Sequence, residues 1–146
     1  MKYKRKTGKK TIQSKKGVYD NIQFASQLEI HFYKLLKENN IEFEYESEVF
    51  ELVESFHSDN ISYERTANKP LENRGEKNVR NIKYTPDFTS KDWICENKGR
   101  PNESFPIRWK LFKRLLHLNN DKRVLYKPQS QADNKLVIED ILKRFY

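Results

Sequence analysis

The stretch from Ile82 to Lys98 limits the fold more than any other part of the chain. Two apolar, strand-length runs, from Ile82 to Phe88 and from Trp93 to Lys98, are separated only by Thr89-Ser90-Lys91-Asp92. Runs rich in Ile, Tyr, Phe and Trp that flank a polar turn predict an antiparallel hairpin. Gly99-Arg100-Pro101 then breaks the second strand. The rest of the chain must supply the layers that cover this hairpin.

Upstream, Leu28, Phe32, Leu35 and Leu36 recur at helical spacing with Lys34 and Lys37 off the stripe, which predicts a helix over about 26–39 closed by Asn39-Asn40. Ile41-Glu42-Phe43-Glu44-Tyr45-Glu46 alternates strictly between apolar and acidic, as a half-buried strand does. The apolar run from Val49 to Val53 is expected to continue or pair with it. Residues 54–80 are polar with little periodicity and read as a long loop or insertion. Downstream, Ser104 as N-cap and Pro106 in the first turn open a helix running to about Leu118, with Ile107, Leu111, Phe112, Leu115 and Leu118 as its apolar stripe. Val124-Leu125-Tyr126 predicts a short buried strand, Pro128 to Asn134 a loop, and Leu136 to Phe145 a last helix. The order is helix, strands, hairpin, helix, strand, helix, an α/β arrangement with a small mixed β-sheet flanked by helices. A chain of 146 residues holds one such domain, here over 18–146.

The net charge of +8 is unevenly spread. Residues 1–16 carry eight basic side chains and no acid, so residues 1–17 read as a basic, disordered N-terminal arm. Residues 17–64 have a net charge of −9 and residues 65–146 one of +9. A molecule polarised in this way favours a polyanion laid against the arm and the C-terminal half, unless the charges serve only solubility. For nucleic acid, the residues to make the contacts are Lys4, Arg5, Lys6, Lys9, Lys10, Lys15 and Lys16 in the arm, with Arg100, Arg108, Lys110, Lys113 and Arg114 beyond the hairpin. Trp109 among the last of these serves either DNA or the core. A single cysteine excludes an internal disulfide framework, and no secretory signal or membrane-length apolar run is visible. A soluble, cytoplasmic protein is therefore expected.

Within the hairpin, Pro86-Asp87-Phe88 is followed nine residues after the aspartate by Glu96-Asn97-Lys98. Residues two apart on a strand share a face, so Glu96 and Lys98 project together, and the hairpin brings Asp87 beside them. Two carboxylates meeting there repel one another unless a divalent cation lies between them, and hard oxygen ligands suit Mg²⁺, with Mn²⁺ as substitute. The substrate of such a site would be a phosphodiester. Lys98 would hold the attacking water and steady the charge growing on phosphorus. An E-x-K triplet alone says little in a chain that is 34% charged. The weight lies in its context: Pro-Asp at a strand end, a hairpin-length gap, apolar Trp93 and Ile94 before the acid, and glycine after the lysine.

Together Phe24-Ala25-Ser26-Gln27-Leu28-Glu29, the 41–46 strand, Tyr84-Thr85-Pro86-Asp87-Phe88 and Glu96-Asn97-Lys98-Gly99 resemble the phage endonuclease I family of Holliday-junction resolving enzymes. That family lies within the PD-(D/E)xK nuclease superfamily, and the likeness covers about residues 24–126. The resemblance implies a restriction-endonuclease-like core, a homodimer and branched DNA as substrate. It implies Glu29, Asp87, Glu96 and Lys98 as catalytic residues, with Asn97 counted beside Glu29, Asp87 and Glu96 as an oxygen donor to the ion. Ser26-Gln27-Leu28-Glu29 also reads as a capping box, which would occupy Glu29 without catalysis. The chain departs from the junction-resolving pattern in its long 54–80 stretch, its C-terminal helix and its N-terminal placement of the basic arm. A phage or mobile-element nuclease of the same fold cutting duplex or single-stranded DNA is the alternative enzyme. A non-catalytic nucleic-acid-binding or inhibitor protein on that fold is the alternative of another class. His31, His57 and His117 share no metal-ligand spacing, Cys95 reads as a small buried residue, and no glycine-rich phosphate loop is present.

Overall fold

The computed structural model describes residues 15–146, and among them the chain forms three helices and twelve short strands. Strands β1 (Gly17–Tyr19) and β2 (Ile22–Phe24) make a tight hairpin. Its turn, Asp20-Asn21, takes positive φ at both positions (55° and 59°), the conformation that a two-residue turn between twisted strands requires. Helix α1 (Gln27–Glu38) starts at Ser26, whose hydroxyl accepts from the Glu29 amide. It ends where Asn40 turns left-handed (φ 52°) and the Ile41 amide reaches back to the Leu36 carbonyl at 3.0 Å. Helix α2 (Phe105–Leu118) ends alike, with Asn120 at φ 55° and Asp121 N–H bonded to Leu116 O at 2.9 Å.

A four-stranded sheet forms the centre, in the order β12 (Val124–Tyr126), β11 (Trp93–Cys95), β10 (Phe88–Thr89), β3 (Glu44–Tyr45). β11 and β12 run parallel with Ile94 opposite Leu125, while the other pairs are antiparallel, so the sheet is mixed. Alternation along β11 divides the core into two layers. Trp93 and Cys95 face α1 and α3 (Gln131–Phe145), packed with Phe32, Leu36, Phe88 and Ile141. Ile94 faces the other way, against Phe105, Trp109, Phe112 and Leu116 of α2. The chain is thus a mixed α/β fold with helices on both faces of a small sheet.

Several expectations are corrected. The run at Val49 does not extend or pair with β3: β4 (Phe50–Val53) pairs with β9 (Ile82–Tyr84) in a separate sheet. The polar stretch 54–80 is not a loop but continues that pair outward as an antiparallel ribbon. Its rungs are β5 (Phe56–Ser58) with β8 (Lys77–Val79), then β6 (Tyr63–Glu64) with β7 (Glu72–Asn73). Strands this short with solvent around them need no apolar alternation, so the sequence pattern does not announce them. Gly75 lies so close to the Asn60 and Ser62 backbones that a Cβ there would collide. The run from Ile82 to Phe88 is not one strand, since Thr85-Pro86-Asp87 divides β9 from β10. Ser104 makes no cap, and Asn102 Oδ1 accepts from the Phe105 amide at 2.9 Å instead. On α2, Ile107 and Leu118 are exposed (65% and 60%), while Phe105, Trp109 and Leu116 join Phe112 in the core. The last helix begins at Gln131, five residues early, because Ser130 caps it by accepting from Asp133 N–H. No helix among the described residues is long and apolar enough to cross a membrane.

Candidate active site

The alternation that buries Ile94 under α2 continues past the end of β11. Glu96 and Lys98 share the face of Ile94, whereas Asn97 shares that of Cys95. The backbone holds this register beyond the strand, for Glu96 N–H donates to Tyr126 O and Lys98 N–H to Pro128 O, both at 3.0 Å. Glu96 is buried (5% exposed) and its carboxylate is caught between two groups. Tyr84 Oη donates to Oε2 at 2.6 Å, and Lys98 Nζ lies 3.8 Å from Oε1.

Asp87 stands at the break between β9 and β10. Its carbonyl accepts from Glu46 N–H at 2.8 Å and its Oδ2 from Asn97 N–H at 2.7 Å, so the backbones on either side fix its position. Burial, then the charges of Glu96 and Glu29, push the Asp87 carboxyl well above the ordinary range, against the Asn97 N–H and Lys98. Burial likewise raises Glu96, against the Tyr84 hydroxyl and Lys98. Burial and the neighbouring Glu96 keep the Tyr84 phenol protonated, so it serves as donor. Two adjacent acids that each resist ionising in the free protein are a donor set that a cation would relieve.

Glu29 is buried (4% exposed) at the start of α1 and occupied by hydrogen bonds. Ser26 Oγ donates to Oε1 at 2.8 Å, while Ala25 N–H and Tyr45 Oη donate to Oε2 at 3.2 and 2.8 Å. Its charge nonetheless reaches Asp87 and Glu96. The Asn97 side chain turns away from these acids: its Nδ2 donates to Asn134 Oδ1 at 2.7 Å, and its Oδ1 faces Cys95 Sγ. Among the described residues, no three His, Cys, Asp or Glu side chains are drawn close enough to cage a metal ion unaided.

Two open clefts meet at Lys98. One, of about 330 Å³, is lined by Tyr84, Glu96, Asn102, Phe105 and Arg108. The other, of about 440 Å³, lies between the start of α1 and the Gly99 turn, with Lys15, Glu29 and Arg100 on its walls. A third, of about 470 Å³, sits by Glu48 and Arg123 and touches none of these acids. Arg108 donates to Lys83 O at 3.1 Å and so leans over the first cleft, whereas Lys110, Lys113 and Arg114 are exposed elsewhere on α2 and line neither cleft at Lys98. Trp109 is 7% exposed and belongs to the core, so it is not a surface for DNA. Lys15 and Lys16 are exposed, and Lys4, Arg5, Lys6, Lys9 and Lys10 lie outside the described residues. Tyr45, Tyr84 and Asn134 were not legible as site residues, since each meets its partner only through the packing of separate elements.

Residues 9–127 match the family described as "Protein of unknown function (DUF1064)", and the chain belongs to that family. No curated protein and no solved structure matches it.

Proposed function

We propose that this member of the DUF1064 family is a divalent-metal-dependent endonuclease that hydrolyses DNA phosphodiesters. The observation that carries the reading is the placing of Glu96 and Lys98 on one open cleft with the Asp87 carboxylate fixed behind them by the Asn97 N–H, both acids being raised by burial and by neighbouring carboxylates. Asp87 and Glu96 would hold the ion, with Glu29 adding negative potential behind them. Few protein ligands suit Mg²⁺, which keeps waters and takes substrate phosphate oxygens beside one or two carboxylates. When bound, the ion would supply charge stabilisation at the phosphoryl group and a lowered pKa for the attacking water.

The remaining work falls to the chain. Tyr84 fixes the Glu96 rotamer by donating to one carboxylate oxygen and leaves the other toward Lys98. The Lys98 ammonium would orient the attacking water and offset charge on the phosphoryl oxygens. Arg108, on the far wall of the cleft, would take a neighbouring phosphate oxygen. The four-stranded mixed sheet, with these residues at its central hairpin, agrees with a restriction-endonuclease-like core. Preference for branched DNA and a homodimeric assembly follow from the resemblance to the junction-resolving endonucleases.

The test incubates the full chain with a four-way junction, a linear duplex and a single strand, each with Mg²⁺ or EDTA. Magnesium-dependent cutting of DNA supports the nuclease, and paired nicking of the junction supports the resolving activity. Binding without cutting on all three DNAs would overturn the catalytic reading.

A further inference from the structure

We infer that Lys127 forms a second phosphate subsite beside Lys98, so that the substrate is a polynucleotide gripped on more than the phosphate that is cut. The inference rests on the phosphodiester reading of the neighbouring acids. Lys127 follows directly on β12, whose parallel pairing puts Ile94 opposite Leu125 and Cys95 opposite Tyr126. Two residues beyond Leu125, Lys127 shares its face, which is also the face of Glu96 and Lys98. Continued by one residue, that register sets Lys127 opposite Glu96, one strand spacing of about 4.8 Å away, with Lys98 two residues further along the same face.

The packing agrees with that register. Lys98 Nζ lies 4.9 Å from the centre of the Phe105 ring, and Lys127 Nζ lies 5.9 Å from the same ring and 5.7 Å from that of Trp109. Phe105 and Trp109 stack at 27° with centres 5.8 Å apart and are themselves buried (5% and 7% exposed). One aromatic pair therefore steadies two ammonium groups. Among the described residues Lys127 has no carboxylate within ion-pair distance, and Lys98 has only Glu96. Two ammonium groups held on one ring offer an anion two attractive charges at once. Because the rings are buried, they are closed to stacking by bases. The subsite therefore offers charge alone and reads the backbone, not the sequence.

The test measures binding of the full chain to a short labelled DNA duplex in EDTA across a salt series, so that no turnover is needed. Lys127→Ala is expected to weaken binding several-fold and to make the log–log salt dependence shallower by about 1, with Lys127→Arg close to wild type. Lys37→Ala removes an equal charge from the opposite end of α1 and is expected to match wild type. Wild-type affinity and slope in Lys127→Ala, or an equal loss in Lys37→Ala, would overturn the subsite. Failure of the nuclease reading would appear separately, as wild-type protein that binds this duplex in EDTA yet never cuts with Mg²⁺.

Discussion

The side-chain amide of Asn97 donates to the Asn134 carboxamide oxygen at 2.7 Å, and through it α3 is tied to the segment just past β11 that carries Glu96 and Lys98. Asn134 is fully buried, and its own amide lies 3.1 Å from Leu28 O and 3.0 Å from His31 Nδ1. Asn97 in turn gives its backbone N–H to Asp87. Asn134 is thus linked to Asp87 through Asn97, and on the proposed function it would position that carboxylate.

Asn134→Ala would leave the Asn97 amide and the Leu28 carbonyl buried without this partner, at a cost of about 1–3 kcal/mol in urea unfolding. It is also expected to weaken Mn²⁺ binding by the folded protein, measured by titration below the unfolding transition. A purely structural role would lower the unfolding midpoint and leave Mn²⁺ affinity unchanged.

Asp87→Asn should stabilise the metal-free protein at neutral pH. The folded-state pKa of Asp87 is raised, so the native chain holds its proton to higher pH than the unfolded chain does. Its contribution to stability is therefore intact below the ordinary carboxylate range and declines as pH rises through the folded-state value. Thermal unfolding in EDTA is expected to give Asp87→Asn the higher Tm at pH 7, with the two proteins converging in acid. A lower Tm for the variant at pH 7 would show that the Asn97 N–H bond outweighs the burial.

Arg123 makes an independent check on the fold. Its guanidinium bonds both oxygens of Glu48 (2.6 and 3.0 Å), the Asp121 carboxylate and Ser90 O, which joins the segment after β3, the hairpin turn and the loop after α2. Lysine keeps the charge but cannot span two oxygens. Arg123→Lys is expected to lower stability by about 1–2 kcal/mol, read as a shift in urea midpoint at constant slope. An unshifted midpoint would show that this brace is not made in solution.

What the sequence made legible follows its periodicity. Helix α1 and strand β12 stand where the apolar spacing puts them, and the Asp87, Glu96, Lys98 grouping follows from strand alternation and one local hairpin. On α2 the extent was legible but the face was not, because Ile107 and Leu118 fit a helical stripe as well as Trp109 and Leu116 do. The β1–β2 hairpin is not announced by periodicity, since its three-residue strands are too short to show one, although Asp20 and Asn21 are residues that tolerate positive φ. The 54–80 ribbon had almost none, since its cross-strand bonds satisfy the backbone without burying a face. Tyr84 and Asn134 reach the site across 12 and 37 residues of chain, distances at which a local pattern carries no information.

The proposed function requires Asp87, Glu96 and Lys98 to act together on a phosphodiester. Single-turnover cleavage of labelled DNA with Mg²⁺, by the wild type, Asp87→Asn and Lys98→Ala, tests this most directly. The predicted result is cutting by the wild type and a loss of about a hundredfold or more in each variant, with DNA binding retained. Wild-type rates in either variant would contradict it.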